Sequence, residues 1–169
     1  MDTIFYTDGS KQNDDSPVGA AIFSPNLELS MQFKLPSETS IFTAEAFAIL
    51  ETLNYIEKNN IQYATIFSDS RSVLEAVLAP NSKGKSYLIY EIKRNFAKLK
   101  GKSIVVNLAW IPSHKGIEYN EKVDELAKGA ISHGHPFNIE LPHSDLFSKI
   151  KNKFKKNHHL SLTKRNTDK

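Results

Sequence analysis

Three short runs of β-branched and aromatic residues, Thr3–Thr7, Tyr63–Ser68 and Ile104–Trp110, read as strands, and the first, largely apolar on both alternating faces, reads as a buried one. Segments with helical spacing separate them. Phe42, Ala46, Ile49, Leu50, Leu53 and Ile56 fill the first interval, and Val73, Leu74, Val77 and Leu78, then Ser86 to Leu99, fill the second. A helix between buried strands permits a right-handed crossover that lays them parallel. After the first run, Asp8-Gly9-Ser10 reads as a stop and Lys11 to Pro17 as a polar turn. Val18–Phe23 and Leu27–Phe33 then flank Ser24-Pro25-Asn26 as a hairpin. The last core helix, with Val123, Leu126, Ala127, Ala130 and Ile131, ends at His133-Gly134-His135-Pro136. The expected fold class is α/β: a five-stranded mixed sheet in the order 3-2-1-4-5, the first three strands antiparallel, flanked by helices on both faces.

At 169 residues, 40% hydrophobic and 24% charged, the chain is large enough to fold as one domain without staples. It has no cysteine, which excludes disulfides, thiolate metal sites and a cysteine nucleophile. Any metal must be held by oxygen or imidazole, a donor set that favours hard ions such as magnesium. No apolar run approaches ~18 residues, and Met1-Asp2-Thr3 does not open a basic segment followed by an apolar one. A monomeric intracellular protein, cytoplasmic or nuclear and neither secreted nor membrane-bound, is expected. The net charge of +3 is unevenly spread: residues 1–144 carry 14 Lys/Arg against 17 Asp/Glu, and residues 145–169 carry 8 against 2. The domain division that follows is a folded body over 1–136 and a basic tail over 137–169, partly disordered, with Leu146, Phe147, Ile150 and Phe154 spaced for a short helix. Such a tail suits phosphate backbones, and equally a solvated terminus.

With the first and fourth strands adjacent, Asp8 and Asp69 stand at their carboxyl ends, about 5 Å apart, at the edge where open α/β sheets place ligands. Two like charges so close are tolerated chiefly when a cation lies between them. Singly, Asp8 would serve as a turn cap and Asp69 as a helix cap. The pair says more than either. Glu45 lies among Ala44, Ala46 and Phe47, where an unpaired carboxylate is costly to bury, although an exposed helix glutamate fits the spacing too. Asp124 can equally be a first-turn acid favoured by the helix dipole.

Tyr6-Thr7-Asp8-Gly9-Ser10, Thr43-Ala44-Glu45-Ala46, Phe67-Ser68-Asp69-Ser70 and Trp110-Ile111-Pro112-Ser113-His114-Lys115-Gly116, followed by Asn120-Glu121 and Asp124, occur in that order. Together they resemble the signature of the type 1 ribonuclease H family, over roughly Thr3 to Ser132. The stretch Ser40–Glu45 and the tail after Pro142 look most like ribonuclease H domains in non-LTR retrotransposon polyproteins, which would make a reverse transcriptase domain the natural partner. The resemblance implies an endoribonuclease that cuts the RNA strand of RNA–DNA hybrids and leaves 5′-phosphate and 3′-hydroxyl ends. It implies Asp8, Glu45, Asp69 and Asp124 as ligands of two magnesium ions when substrate is bound, with manganese as a substitute, and His114 as a proton shuttle or an aid to product release.

Telling RNA from DNA requires contacts to 2′-hydroxyls across a wide minor groove. Backbone amides near Gly9 and Ser10, the hydroxyls of Ser40 and Ser70, and Asn120 are the candidates. Ile41 and Phe42 stand where cellular members of the family usually carry asparagines that read the hybrid, so the grip here must differ. Lys83, Lys85, Lys93, Arg94, Lys98, Lys100 and Lys102 concentrate positive charge between Pro80 and Ser103, either toward substrate or as a solvated helix face. Two alternatives stand beside the enzyme: a catalytically inactive hybrid-binding module, and a related DNA nuclease of integrase type.

Overall fold

A computed structural model describes residues 1–80 and 86–167, with the backbone alone over 156–167. Chain order is β1 (Thr3–Lys11), β2 (Val18–Ser24), β3 (Leu29–Leu35), α1 (Ile41–Lys58), β4 (Tyr63–Ser68), α2 (Arg71–Leu78), α3 (Tyr87–Gly101), β5 (Val105–Trp110), α4 (Glu118–His133), β6 (His135–Pro136) and α5 (His143–Thr167). The sheet runs β5-β4-β1-β2-β3-β6. β1, β2 and β3 are antiparallel neighbours, whereas β1–β4 and β4–β5 are parallel. The expected five-stranded order is therefore present, extended by one short strand.

Two layers of side chains cover the sheet. On one face Phe5, Ala20, Ile22, Phe47, Ile49, Leu53 and Ile66 join Leu88, Ile89 and Ile92 in the main core beneath α1, α2 and α3. On the other, α4 lies across β1, β2 and β3 and buries Ala21, Val123 and Ala127 beside Tyr6 and Phe23. Gly19 permits that approach: a Cβ there would sit 1.9 Å from the Ala127 carbonyl oxygen, so no larger residue fits beneath α4.

Three features differ from the sequence expectation. β1 does not stop at Asp8 but continues through Gly9 and Ser10 to Lys11, because β2 pairs with its second half, from Tyr6↔Phe23 to Lys11↔Val18. The parallel ladder with β4 nevertheless ends at Thr7↔Ser68, which leaves Asp8 and Asp69 just beyond it. His135–Pro136, read as a helix stop, also forms β6 on the free edge of β3, and Phe137 N–H donates to the Lys34 carbonyl at 2.9 Å. Phe137 then packs its ring on Phe47 (4.9 Å between centroids) and Phe33 (5.9 Å). α5 spans 25 residues, where the apolar spacing gives only a turn or two. No helix among the described residues is long and apolar enough to cross a membrane.

Candidate active site

Asp8 and Glu45 come together because β1 and α1 touch at a glycine. A Cβ on Gly9 would lie 3.0 Å from both the Ala44 Cβ and the Glu45 nitrogen. Ser40 starts α1 as an N-cap, its Oγ accepting from Thr43 N–H at 3.1 Å, which sets the turn that carries Glu45. Asp69 follows β4 directly, and two groups hold it. Trp110 at the end of β5 donates its indole N–H to the Asp69 carbonyl at 3.2 Å, and Asn120 of α4 offers its side-chain amide to Asp69 Oδ2 at 3.4 Å.

Among the described residues, Asp8, Glu45 and Asp69 each place a carboxylate oxygen within 4.8 Å of the other two. Asp8 is 6% exposed and Glu45 4%, and Asp69 is half-buried. Burial, then the charge of Asp69, pushes the Asp8 carboxyl up to about 7. Burial followed by the charges of Asp8 and Asp69 drives Glu45 well above its ordinary value. Opposing this, the neighbouring Glu45 carboxyl and then the Gly9 backbone favour the ionised form of Asp8, and the Gly9 backbone favours that of Glu45. Oδ2 of Asp8 and Oε2 of Glu45 are buried with no hydrogen-bond partner. Two orphaned carboxylate oxygens in an all-oxygen cluster are the donor set of a hard divalent cation, so the residues fit such an ion.

Asp124 stands apart from this group. It is close enough for its charge to raise Asp8, yet its Oδ2 is held by Lys128 at 2.6 Å, one turn further along α4. Lys128 is a site residue that the motifs do not point to, although its i,i+4 spacing from Asp124 is readable. Asn120, offered as a substrate contact, is 3% exposed and turned toward Asp69, so its visible role is to orient that aspartate.

His114 lies exposed on the loop between β5 and α4 at φ 51°, in the left-handed region, and Gly116 follows at φ 71°. Glu121 accepts the Gly116 N–H at 3.0 Å and ties the loop to α4. Ser10 is half-buried on β1, and Ser70 caps α2 by position without a side-chain bond. Ser40 donates its N–H to Asp145 Oδ2 at 2.9 Å, so its backbone is engaged by α5. Of the basic group after Pro80, Lys83 and Lys85 lie outside the described residues. Lys98 and Lys102 pair with Glu57, Arg94 with Glu91, and Lys93 donates to the Ala79 carbonyl, which commits most of that charge within the protein.

The sequence model of one family, described as RNase H, matches residues 1–132 and thus contains every member of this carboxylate cluster.

Proposed function

Because the chain belongs to the RNase H family, we propose that it is an endoribonuclease hydrolysing the RNA strand of RNA–DNA hybrids, with Asp8, Glu45 and Asp69 at the reacting centre. The observation that carries this reading is the buried three-carboxylate cluster at the carboxyl ends of the parallel strands β1 and β4. Asp8, Glu45 and Asp69 would hold two divalent cations, magnesium or manganese, with Asp124 joining when it leaves Lys128. Those ions, when bound, supply a water of lowered pKa and charge neutralisation at the leaving 3′ oxygen, giving 5′-phosphate and 3′-hydroxyl ends.

The protein's own groups do the rest. Asn120 and Trp110 fix Asp69, Gly9 keeps Glu45 against Asp8, and the Gly9 and Ser10 backbone with the Ser70 hydroxyl would meet RNA 2′-hydroxyls. His114, exposed on its loop, would carry a proton to or from the product end. The Ser40–Glu45 wording supports a retroelement-type member, for which a reverse transcriptase would be the source of hybrids, acting inside the cell.

The test is cleavage of an end-labelled RNA–DNA hybrid in magnesium, with and without chelator. Cutting that stops with chelator and with Asp69→Asn, in a protein of unchanged fold, is the expected result; cleavage untouched by the substitution overturns the ligand assignment. Duplex DNA and duplex RNA run in parallel separate this activity from that of a DNA nuclease. A folded sample inert in both magnesium and manganese would point to a hybrid-binding module.

A further inference from the structure

The family match ends at Ser132, yet the chain beyond it is anchored beside the active site. Asp145, 6% exposed, accepts the Ser40 N–H at the start of α1. One turn on, Lys149 donates to Glu38 Oε1 at 2.6 Å and to Ser37 Oγ at 3.0 Å. With Ser148, Asn152 and Lys153 these residues line a cleft of about 330 Å³ against the loop that leads into the Glu45 helix. Among the residues whose side chains are described, these contacts come from one side of α5, with Lys153 at its rim. Phe147, Ile150 and Phe154 are 70%, 52% and 72% exposed, and Lys151, Lys153 and Lys155 are exposed and form no ion pair among the described residues. From Leu146 to Thr167 the sequence holds seven Lys/Arg and no acid. A helix of 25 residues is roughly 37 Å long, far longer than the two turns that make the anchoring contacts.

We infer that α5 is a nucleic-acid-binding arm, a cationic helix rooted through Asp145 and Lys149 on the 37–40 segment before α1, that follows the phosphate backbone of the hybrid outside the stretch held at the active site. The inference rests on the RNase H reading for the identity of the hybrid. A polyanion is the complement of a helix that carries seven cations and no acid beyond Asp145, and each neutralised phosphate releases counterions. The exposed Phe147 and Phe154 rings lie on the same helix as these lysines, a pairing that also suits unpaired bases at a hybrid end. A bilayer is the poorer partner: the spacing that would extend the Leu146, Phe147, Ile150, Phe154 stripe meets Asn157 and His158 in the sequence, so the stripe is under three turns long.

The experiment compares full-length Asp69→Asn protein, used to prevent turnover in magnesium, with the same protein carrying Lys151→Ala, Lys153→Ala and Lys155→Ala. Affinity for a hybrid longer than the active-site footprint is measured from 0.05 to 0.3 M salt, with thermal unfolding as the fold control. Kd should rise about tenfold at 0.15 M salt, and the slope of log K against log salt should fall by roughly 2 to 3, about 0.9 for each phosphate no longer neutralised. Unchanged affinity and slope overturn the arm. So does an effect of the triple substitution seen on phosphatidylserine vesicles and not on the hybrid. Wild-type protein that binds hybrid through these lysines but cuts nothing would sink the nuclease reading and leave the arm standing.

Discussion

Asn120 on the first turn of α4 points its side-chain amide at Asp69 Oδ2, 3.4 Å away and 51 residues earlier in the chain. The contact is near the outer limit of a hydrogen bond, but it is buried on the Asn120 side, and it links the helix behind β1 to the end of β4. Removing it with Asn120→Ala should release Asp69 without unfolding the protein. A net loss of about 1 kcal/mol corresponds to a roughly fivefold fall in kcat on a hybrid, read by steady-state cleavage. A change confined to KM would instead make Asn120 a substrate contact.

In the cation-free protein Asp8 and Glu45 hold their protons to higher pH in the folded state than in the unfolded one. The folded state therefore binds more protons across the interval, and stability falls as pH rises. The contribution of Asp8 is complete below its ordinary value of 3.8 and is lost as pH passes through about 7. In chelator, the unfolding midpoint should drop from pH 5 to pH 8, with a slope approaching ~1.4 kcal/mol per pH unit for each proton retained. Saturating magnesium should flatten the curve, since it takes the place of the protons, and Asp8→Asn should flatten it too. A midpoint that climbs over this range in chelator contradicts the burial argument.

Lys128 competes for Asp124. The pair is largely solvated on the lysine side, 55% exposed, so its worth to stability is under about 1 kcal/mol. Lys128→Ala should leave the unfolding midpoint almost unmoved while tightening magnesium binding by roughly two- to tenfold, because a carboxylate beside the cluster loses its cation. Titration calorimetry gives the answer, and weaker magnesium binding would make Lys128 an aid to the site.

Phe137 lies past the boundary that the sequence suggests for the folded body, yet its ring meets both Phe33 and Phe47 of the core. Phe137→Ala should destabilise by about 2 kcal/mol, the lower end for an aromatic truncation because the ring is only partly buried. For a chain of this size that lowers the midpoint by roughly 5 °C. A chain ended after Pro136 should lose more, because it also gives up the hydrogen bond between Asp145 and Ser40. Equal midpoints for the cut and full chains would restore the boundary at 136.

The parts legible in the sequence are those written in local periodicity. Phe5 and Ile66 are wholly buried within the apolar runs that mark β1 and β4, and Ser40 caps α1 where a serine before a helical pattern predicts it. Proximity of Asp8 and Asp69 follows from placing those two strands side by side. What escapes has no local signature. A two-residue strand such as β6 shows no period, and depends on β3 offering a free edge. Whether Asp124 faces the cluster or Lys128, and whether Asn120 faces solvent or Asp69, is decided by how α4 sits on the sheet. Two glycines one register step apart on the paired strands β1 and β2, Gly9 and Gly19, set much of the packing, yet nothing in the sequence around them tells which helix each will meet.

At Gly9 the two backbones bearing Asp8 and Glu45 rest against each other at van der Waals distance, with nothing compressible between them. Such a joint acts as a rigid caliper. It should therefore sort cations by radius: a small ion that demands oxygens at about 2.0–2.1 Å can be grasped by both side chains, whereas calcium, at about 2.3–2.6 Å, would have to pry apart a strand and a helix that cannot separate without disturbing the core.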